Sequence, residues 1–274
     1  MISTATILSC AATLFVSLIL PVLILIVFAL KNRKQGILSA WLLGAAGFVV
    51  TQLIIRLPIL TWLQGQVWFL TFAQNHLFAY AFGLAFTAGL FELAGRFAVA
   101  KLMRKRLTYN RALAAGLGHG GIEAMILIGM TYVNNLIYIF MINSGTFETV
   151  IAQTAAMGVD VTQLYAIQDS LIHTAPSLFL LAGFERILAM TGHVAMSMLV
   201  CYGVAHRKAL PCTLICLGIH TLMDLTAGIS LVLPQSIAYP VIYTILIAMA
   251  VLSLFVIREL HRRWNQEVSY DSEK

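Results

Sequence analysis

Glu92, Glu123, His193 and His220 lie inside four separate apolar runs, at similar distances from the polar residue that bounds each run. Glu92 is 9 residues from Lys101, Glu123 is 12 from Arg111, His193 is 13 from His206 and His220 is 12 from Lys208. At about 1.5 Å of helical rise per residue, all four fall roughly 14 to 20 Å below those boundaries. Carboxylates and imidazoles therefore share one layer. The pairs Glu92 and Arg96, His119 and Glu123, and His220 and Asp224 are each spaced i,i+4 and stack on one helix face. Arg186 and His193, seven apart, share a face as well. A carboxylate deprived of water is a competent general base near neutral pH, and an imidazole beside it can hold a water or donate to an oxyanion. That inventory suits hydrolysis of a peptide bond inside a membrane. It also suits proton relay or ion coordination in a transporter, and single polar residues in membrane helices often only join helices together.

These residues are costly where they stand. Six acids and bases, Glu92, Arg96, Glu123, Glu185, Arg186 and Asp224, fall within apolar runs. At about 2.5 to 3.5 kcal/mol each, six isolated charges would cost roughly 15 to 20 kcal/mol. They must be paired, neutralised or hydrated.

The elements that position them are membrane spans. The chain has 274 residues, 60% hydrophobic and only 10% charged, with a mean hydropathy of +0.90, too little charge to cover a soluble surface. Runs of about 20 apolar residues give an all-α, polytopic transmembrane helix bundle of seven spans, near 5–30, 37–57, 76–100, 112–141, 177–205, 209–233 and 237–260, with Pro58 closing the second. A short interfacial or re-entrant piece around Trp62 and Trp68, split from the third span near Asn75, would make eight. With the N-terminus outside and the C-terminus inside, 14 of the 17 Lys and Arg become cytoplasmic, and only Arg56, Arg96 and Arg186 remain within spans. The net charge of +6 is thus explained by topology, and no nucleic-acid partner is expected. The first span lacks a basic leader and cleavage site and reads as a retained helix.

The chain reads as a single integral-membrane domain over 1–264, the core of the site within 76–233, followed by a disordered cytoplasmic tail at 265–274. The outer segment 143–176 carries Val161, Leu164, Tyr165, Leu171 and Ile172 at helical spacing, fit for a surface helix, a lid or an outer loop. Glycines in Gly116-Leu117-Gly118-His119-Gly120-Gly121 let a neighbouring backbone approach closely. Cys212, Cys216 and His220 form a stripe that could take a soft metal, although buried cysteine is usually a small hydrophobe. There is no Gly-x-Ser-Gly nucleophile, no His-Glu-x-x-His and no Gly-x-Gly-Asp with Tyr-Asp.

Phe91-Glu92-Leu93-Ala94-Gly95-Arg96, Gly118-His119-Gly120-Gly121-Ile122-Glu123, Glu185-Arg186 followed by His193, and His220-Thr-Leu-Met-Asp224 together resemble the YhfC family. That family falls in the larger group of glutamic-type intramembrane proteases with the type II CAAX prenyl proteases and PrsW-like proteases. The resemblance covers Phe91 to Asp224. Glu92 and Arg96 match the group's first motif, His193 its second histidine and His220 with Asp224 its third. Phe91 departs from it, standing where the group has the first of two glutamates; Glu123, like the PrsW-like glycine-rich segment ending in Glu, supplies a second carboxylate.

The resemblance implies an intramembrane endopeptidase of a bacterial-type plasma membrane, acting on membrane-protein or lipidated-peptide substrates among membrane lipids. Glu92 or Glu123 is the base, His193 holds the water, His220 donates to the oxyanion, Asp224 orients His220 and Arg96 neutralises a carboxylate. No cofactor is expected; the alternative is zinc on His119, Glu123, His193 and His220. The rival readings are a non-catalytic scaffold or chaperone and a proton- or cation-coupled transporter.

Overall fold

The computed structural model describes the backbone of residues 1–272 and the side chains of 1–264. Residues 273–274, and the side chains of the expected disordered tail, lie outside the described residues. Described residues form helices and no strand: α1 (Thr4–Lys31), α2 (Ile37–Gln64), α3 (Val67–Asn75), α4 (Leu77–Arg106), α5 (Tyr109–Asn143), α6 (Thr146–Ala156), α7 (Thr162–His173), α8 (Pro176–Ala205), α9 (Ala209–Ile229) and α10 (Gln235–Ser272). Seven of them, α1, α2, α4, α5, α8, α9 and α10, are long and apolar enough to cross a membrane. The protein is therefore an all-helical, multi-pass integral membrane protein.

The break expected near Asn75 is present. His76 leaves helical geometry (φ −132°, ψ 54°) and separates the short α3 from α4. Pro58, by contrast, does not close the second span, which continues to Gln64. The reason lies just before it: Val49–Arg56 is wound as a π-helix, and the Leu57 N–H reaches back five residues to the Gln52 carbonyl. A proline starts the regular turns that follow, where the widened turn has already displaced the carbonyl its ring would strike.

By their contacts the residues fall into two compact units, Met1–Leu23 with Ala124–Ile187, and Ile24–Glu123 with Leu188–Lys274. In the first, Ile2, Cys10, Tyr132, Ile139, Leu171 and Phe179 are buried together. Thr13 donates to the Phe179 carbonyl at 2.6 Å, and Tyr132 donates to the same oxygen at 3.2 Å. The expected stripe in the outer segment becomes α7, which buries Leu171 but leaves Tyr165 and Ile172 exposed.

The second unit holds the larger core. Val194, Met196, Met198, Val200 and Cys201 of α8 pack there with Ala40, Val99, Ala100 and Ala115. Of the seven spans α8 is the most enclosed, with 72% of its apolar window buried. Small residues set the spacing between helices. A Cβ on Gly44 of α2 would fall on the Ala115 carbonyl of α5, and one on Gly118 of α5 would fall on the Trp41 carbonyl of α2. On the opposite face of α5, Gly116 and Gly120 admit α8, a Cβ on Gly120 lying 2.9 Å from that of His193. The glycine-rich run thus seats α5 between α2 and α8, and brings the layer residues of α5 and α8 within reach of each other.

Candidate functional site

Glu92 and Arg96 come from α4, His119 and Glu123 from α5, His193 from α8, and His220 and Asp224 from α9, all within the larger unit. Glu92, Arg96, His119, Glu123, His193 and His220 are each at most 8% exposed. The i,i+4 pairs of the sequence are only partly the contacting pairs. Glu92 and Arg96 meet directly, at 3.0 Å, and His220 Nε2 lies 3.1 Å from Asp224 Oδ2. His119 and Glu123 diverge instead: His119 Nε2 is 2.9 Å from Glu92 Oε2, and Glu123 Oε2 is 3.0 Å from His193 Nε2.

Glu92 is the hub. Its Oε2 accepts from Arg96 Nη2 and faces His119 Nε2, while its Oε1 accepts from Gln52 Nε2 at 2.7 Å. Such a carboxylate is held in one orientation and has few lone pairs left. Arg96 is the second junction. Nη2 lies 2.6 Å from His193 Nδ1 and Nη1 lies 3.3 Å from His220 Nδ1. A guanidinium donates and cannot accept, so both Nδ1 atoms must carry a lone pair and both rings carry their proton on Nε2. Each Nε2 then faces a carboxylate, Glu123 for His193 and Asp224 for His220. Ring packing fixes the planes: His119 stacks on His193 with centroids 5.7 Å apart, His193 meets His220 edge to face at 5.4 Å, and Phe48 closes over His119 at 5.5 Å.

Behind Glu92 stands a support that the sequence did not single out. Arg56 Nη1 donates to Gln52 Oε1 at 3.2 Å, and its Nη2 donates to the Leu84 carbonyl at 2.7 Å. Gln52 therefore passes a chain of hydrogen bonds from α2 to Glu92 on α4, and both Gln52 and Arg56 sit in the π-helical segment.

Among the described residues, the donor atoms of Glu92, His119, Glu123 and His193 all lie within 4.8 Å of one another. Two imidazoles and two carboxylates are the donor types of first-row divalent ions such as zinc. A tetrahedral site with bonds of about 2.0 to 2.2 Å needs donors roughly 3.4 Å apart, which small side-chain rotations would reach. The residues fit a metal in kind and in reach. The set differs from the one expected in that Glu92 takes the place of His220. Cys212 and Cys216 are buried and take no part in it. Glu185 and Arg186 pair with each other in the smaller unit.

Fold and site together define a polytopic helical membrane protein with a buried Glu and His centre. The family described as YhfC intramembrane metalloprotease matches residues 16–251, and the chain belongs to it. It is similar to the "Uncharacterized membrane protein YhfC" of Bacillus subtilis (strain 168), 32% identical over 197 residues that cover 71% of this chain and 74% of that protein. No solved structure matches. The family's description favours a metal over the expected absence of any cofactor.

Proposed function

We propose that the protein is an intramembrane metallopeptidase that cleaves membrane proteins or lipid-modified peptides, inserted in the plasma membrane with its N-terminus outside. The observation that supports it best is the four-residue donor set at the meeting point of α4, α5 and α8, on a chain of this family.

A catalytic metal keeps one position open, so three of the four side chains would hold it and the fourth would move a proton. Glu92, His119 and His193 would be the ligands, His193 through Nδ1 in exchange for its contact with Arg96, with its Nε2–H kept on Glu123. Glu92 is fixed by Gln52 and Arg96, and the two rings are stacked against each other. Glu123 is the base, its side chain being 11% exposed against 5% for Glu92. A divalent ion held there would supply Lewis acidity to the scissile carbonyl and the attacking water. Glu123 takes a proton from that water as the new C–O bond forms and returns it to the amine nitrogen as the C–N bond breaks. Arg96 offsets the charge of Glu92 and, until a metal takes its place, keeps His193 Nδ1 bare and ready to ligate. His220, with Nε2 directed at Asp224 and Nδ1 at Arg96, is assigned to positioning Arg96 in place of the oxyanion role that the resemblance implies.

A second reading keeps the same residues without a metal, with Glu123 activating water alone. It is favoured by Arg96, whose cation already sits between Glu92 and two imidazoles. Metal analysis of purified wild type, His119→Ala and Glu123→Gln, paired with cleavage of a membrane-peptide library, separates the two. The metallopeptidase reading expects about one zinc per wild-type chain, none in His119→Ala, and zinc with no cleavage in Glu123→Gln. Wild-type cleavage that survives a strong chelator selects the second reading.

A further inference from the structure

The loops joining α1 to α2 and α4 to α5 form a second site, unrelated to the buried centre. Together with the helix ends they carry Lys31, Arg33, Lys34, Lys101, Arg104, Lys105, Arg106 and Arg111, and the first acidic residue of the whole chain is Glu92. None of the ion pairs among the described residues involves Lys34, Arg106 or Arg111. Among the described residues this positive charge has no internal counterion.

The loops are nevertheless built into a defined shape. Asn110 Nδ2 donates to Asn32 Oδ1 at 3.0 Å and to Gln35 Oε1 at 2.8 Å, and Arg111 Nη1 donates to the Gln35 carbonyl at 3.3 Å. Gly36, at φ +69°, lets the Arg111 guanidinium lie across the turn, where any Cβ would strike it. Between the stapled loops opens a cleft of about 540 Å³ lined by Lys34, Ser39, Arg106, Thr108 and Arg111. Beside it, sharing Lys34, Gly36 and Ser39, runs a second cleft of about 470 Å³ walled by Ala29, Ile37, Leu38 and Leu42. Leu38 and Leu42 are more than half exposed. A cationic, hydroxyl-lined cleft that continues into an apolar one, at the ends of membrane spans, has the polarity of a phospholipid: phosphate first, glycerol and acyl chain next.

We infer that this double cleft binds the phosphate headgroup of an anionic phospholipid, with the start of an acyl chain along Leu38 and Leu42. Each is of the size of a small-molecule site, and basic pockets between helices at the cytoplasmic surface take anionic headgroups. The occupied site braces the start of α2 against the start of α5, the two helices that interlock through Gly44 and Gly118.

The test uses the full chain in phosphatidylcholine nanodiscs doped with phosphatidylglycerol, with retained lipid counted by native mass spectrometry. Lys34→Gln with Arg106→Gln removes two charges from the cleft, and Arg104→Gln with Lys105→Gln removes two beside it. The first pair should lower phosphatidylglycerol affinity about 25-fold, at roughly fivefold per cation, and the second should leave it within a few-fold of wild type. Leu38→Asn with Leu42→Asn should weaken it too, and millimolar inorganic phosphate should fail to displace it. Equal losses in both charge pairs would overturn the site in favour of diffuse attraction. Displacement by inorganic phosphate, with no effect of the leucine changes, would make the ligand a small anion and overturn the lipid assignment.

Discussion

Arg96 Nη2 stands 2.6 Å from His193 Nδ1 and 3.0 Å from Glu92 Oε2, so one guanidinium nitrogen ties a histidine of α8 to a carboxylate of α4. Its neighbour Nη1 does the same for His220 of α9 at 3.3 Å. The protonation pattern of two rings thus follows from one side chain that has no acceptor.

Nitrogen-15 spectra of histidine-labelled protein should show His193 and His220 with bare Nδ1 and protonated Nε2. Arg96→Gln restores an acceptor next to both rings and should produce mixed tautomers. It should also lower peptide cleavage about 10- to 100-fold, the range for groups that orient metal ligands. Unchanged tautomers in the variant would show that Arg96 does not set them.

Gln52→Leu keeps the size of the side chain but removes the donor to Glu92 Oε1 and the acceptor for Arg56. Removing a buried hydrogen bond to a charged group costs about 1.5 to 3 kcal/mol. Reversible unfolding in mixed micelles should show that loss, and a variant as stable as wild type would mean that the Gln52 link carries no energy.

Gly118→Ala places a methyl group against the Trp41 carbonyl of α2. Backbone cannot move aside as a side-chain end can, so the loss should match or exceed the ~1 to 3 kcal/mol typical of overpacking. Gly218, whose added Cβ would meet nothing within 4 Å, is the control: Gly218→Ala should be neutral or stabilising in the same unfolding measurement.

Asp160 accepts from the Thr162 N–H at 2.9 Å and from its hydroxyl at 2.6 Å, and these bonds hold its carboxyl below the usual range. A depressed folded value means the support for the start of α7 is complete above about pH 4, the unfolded value, and disappears as the pH falls through the folded one. The protection of the Thr162 amide, its exchange rate relative to that of an unprotected amide at the same pH, should therefore fall in acid, and Asp160→Ala should give the low protection at neutral pH. Equal protection in wild type and variant would contradict this.

Much of the architecture could be read directly, because span length and basic flanks are properties of composition. The shared depth of Glu92, Glu123, His193 and His220 was also legible, since helical rise converts residue counts into depth. What counting could not supply was rotation. His119 and Glu123 occupy one face by spacing, yet His119 meets Glu92 of α4 and Glu123, one turn on, meets His193 of α8. Gln52 and Arg56 carried no periodic signal at all. Their placement depends on a π-helical stretch, and an extra residue per turn has no signature in an apolar run. Pro58 misled for the same reason.

The guanidinium at the centre of the cluster has one more consequence, for the traffic of protons. Imidazoles and carboxylates can pass hydrogen ions along a chain, but arginine has no lone pair with which to receive one. Arg96 therefore interrupts the row that runs from Glu123 through His193 towards His220 and Asp224. The two acid and imidazole pairs feel each other's charge without exchanging hydrogen ions through it, like neighbouring wires parted by an insulator. Glu92, whose Oε2 lies 3.6 Å from His193 Nδ1 and 3.5 Å from His220 Nδ1, is the group beside both rings that can accept a hydrogen ion, so passage between the two pairs is routed through a carboxylate and not through the guanidinium.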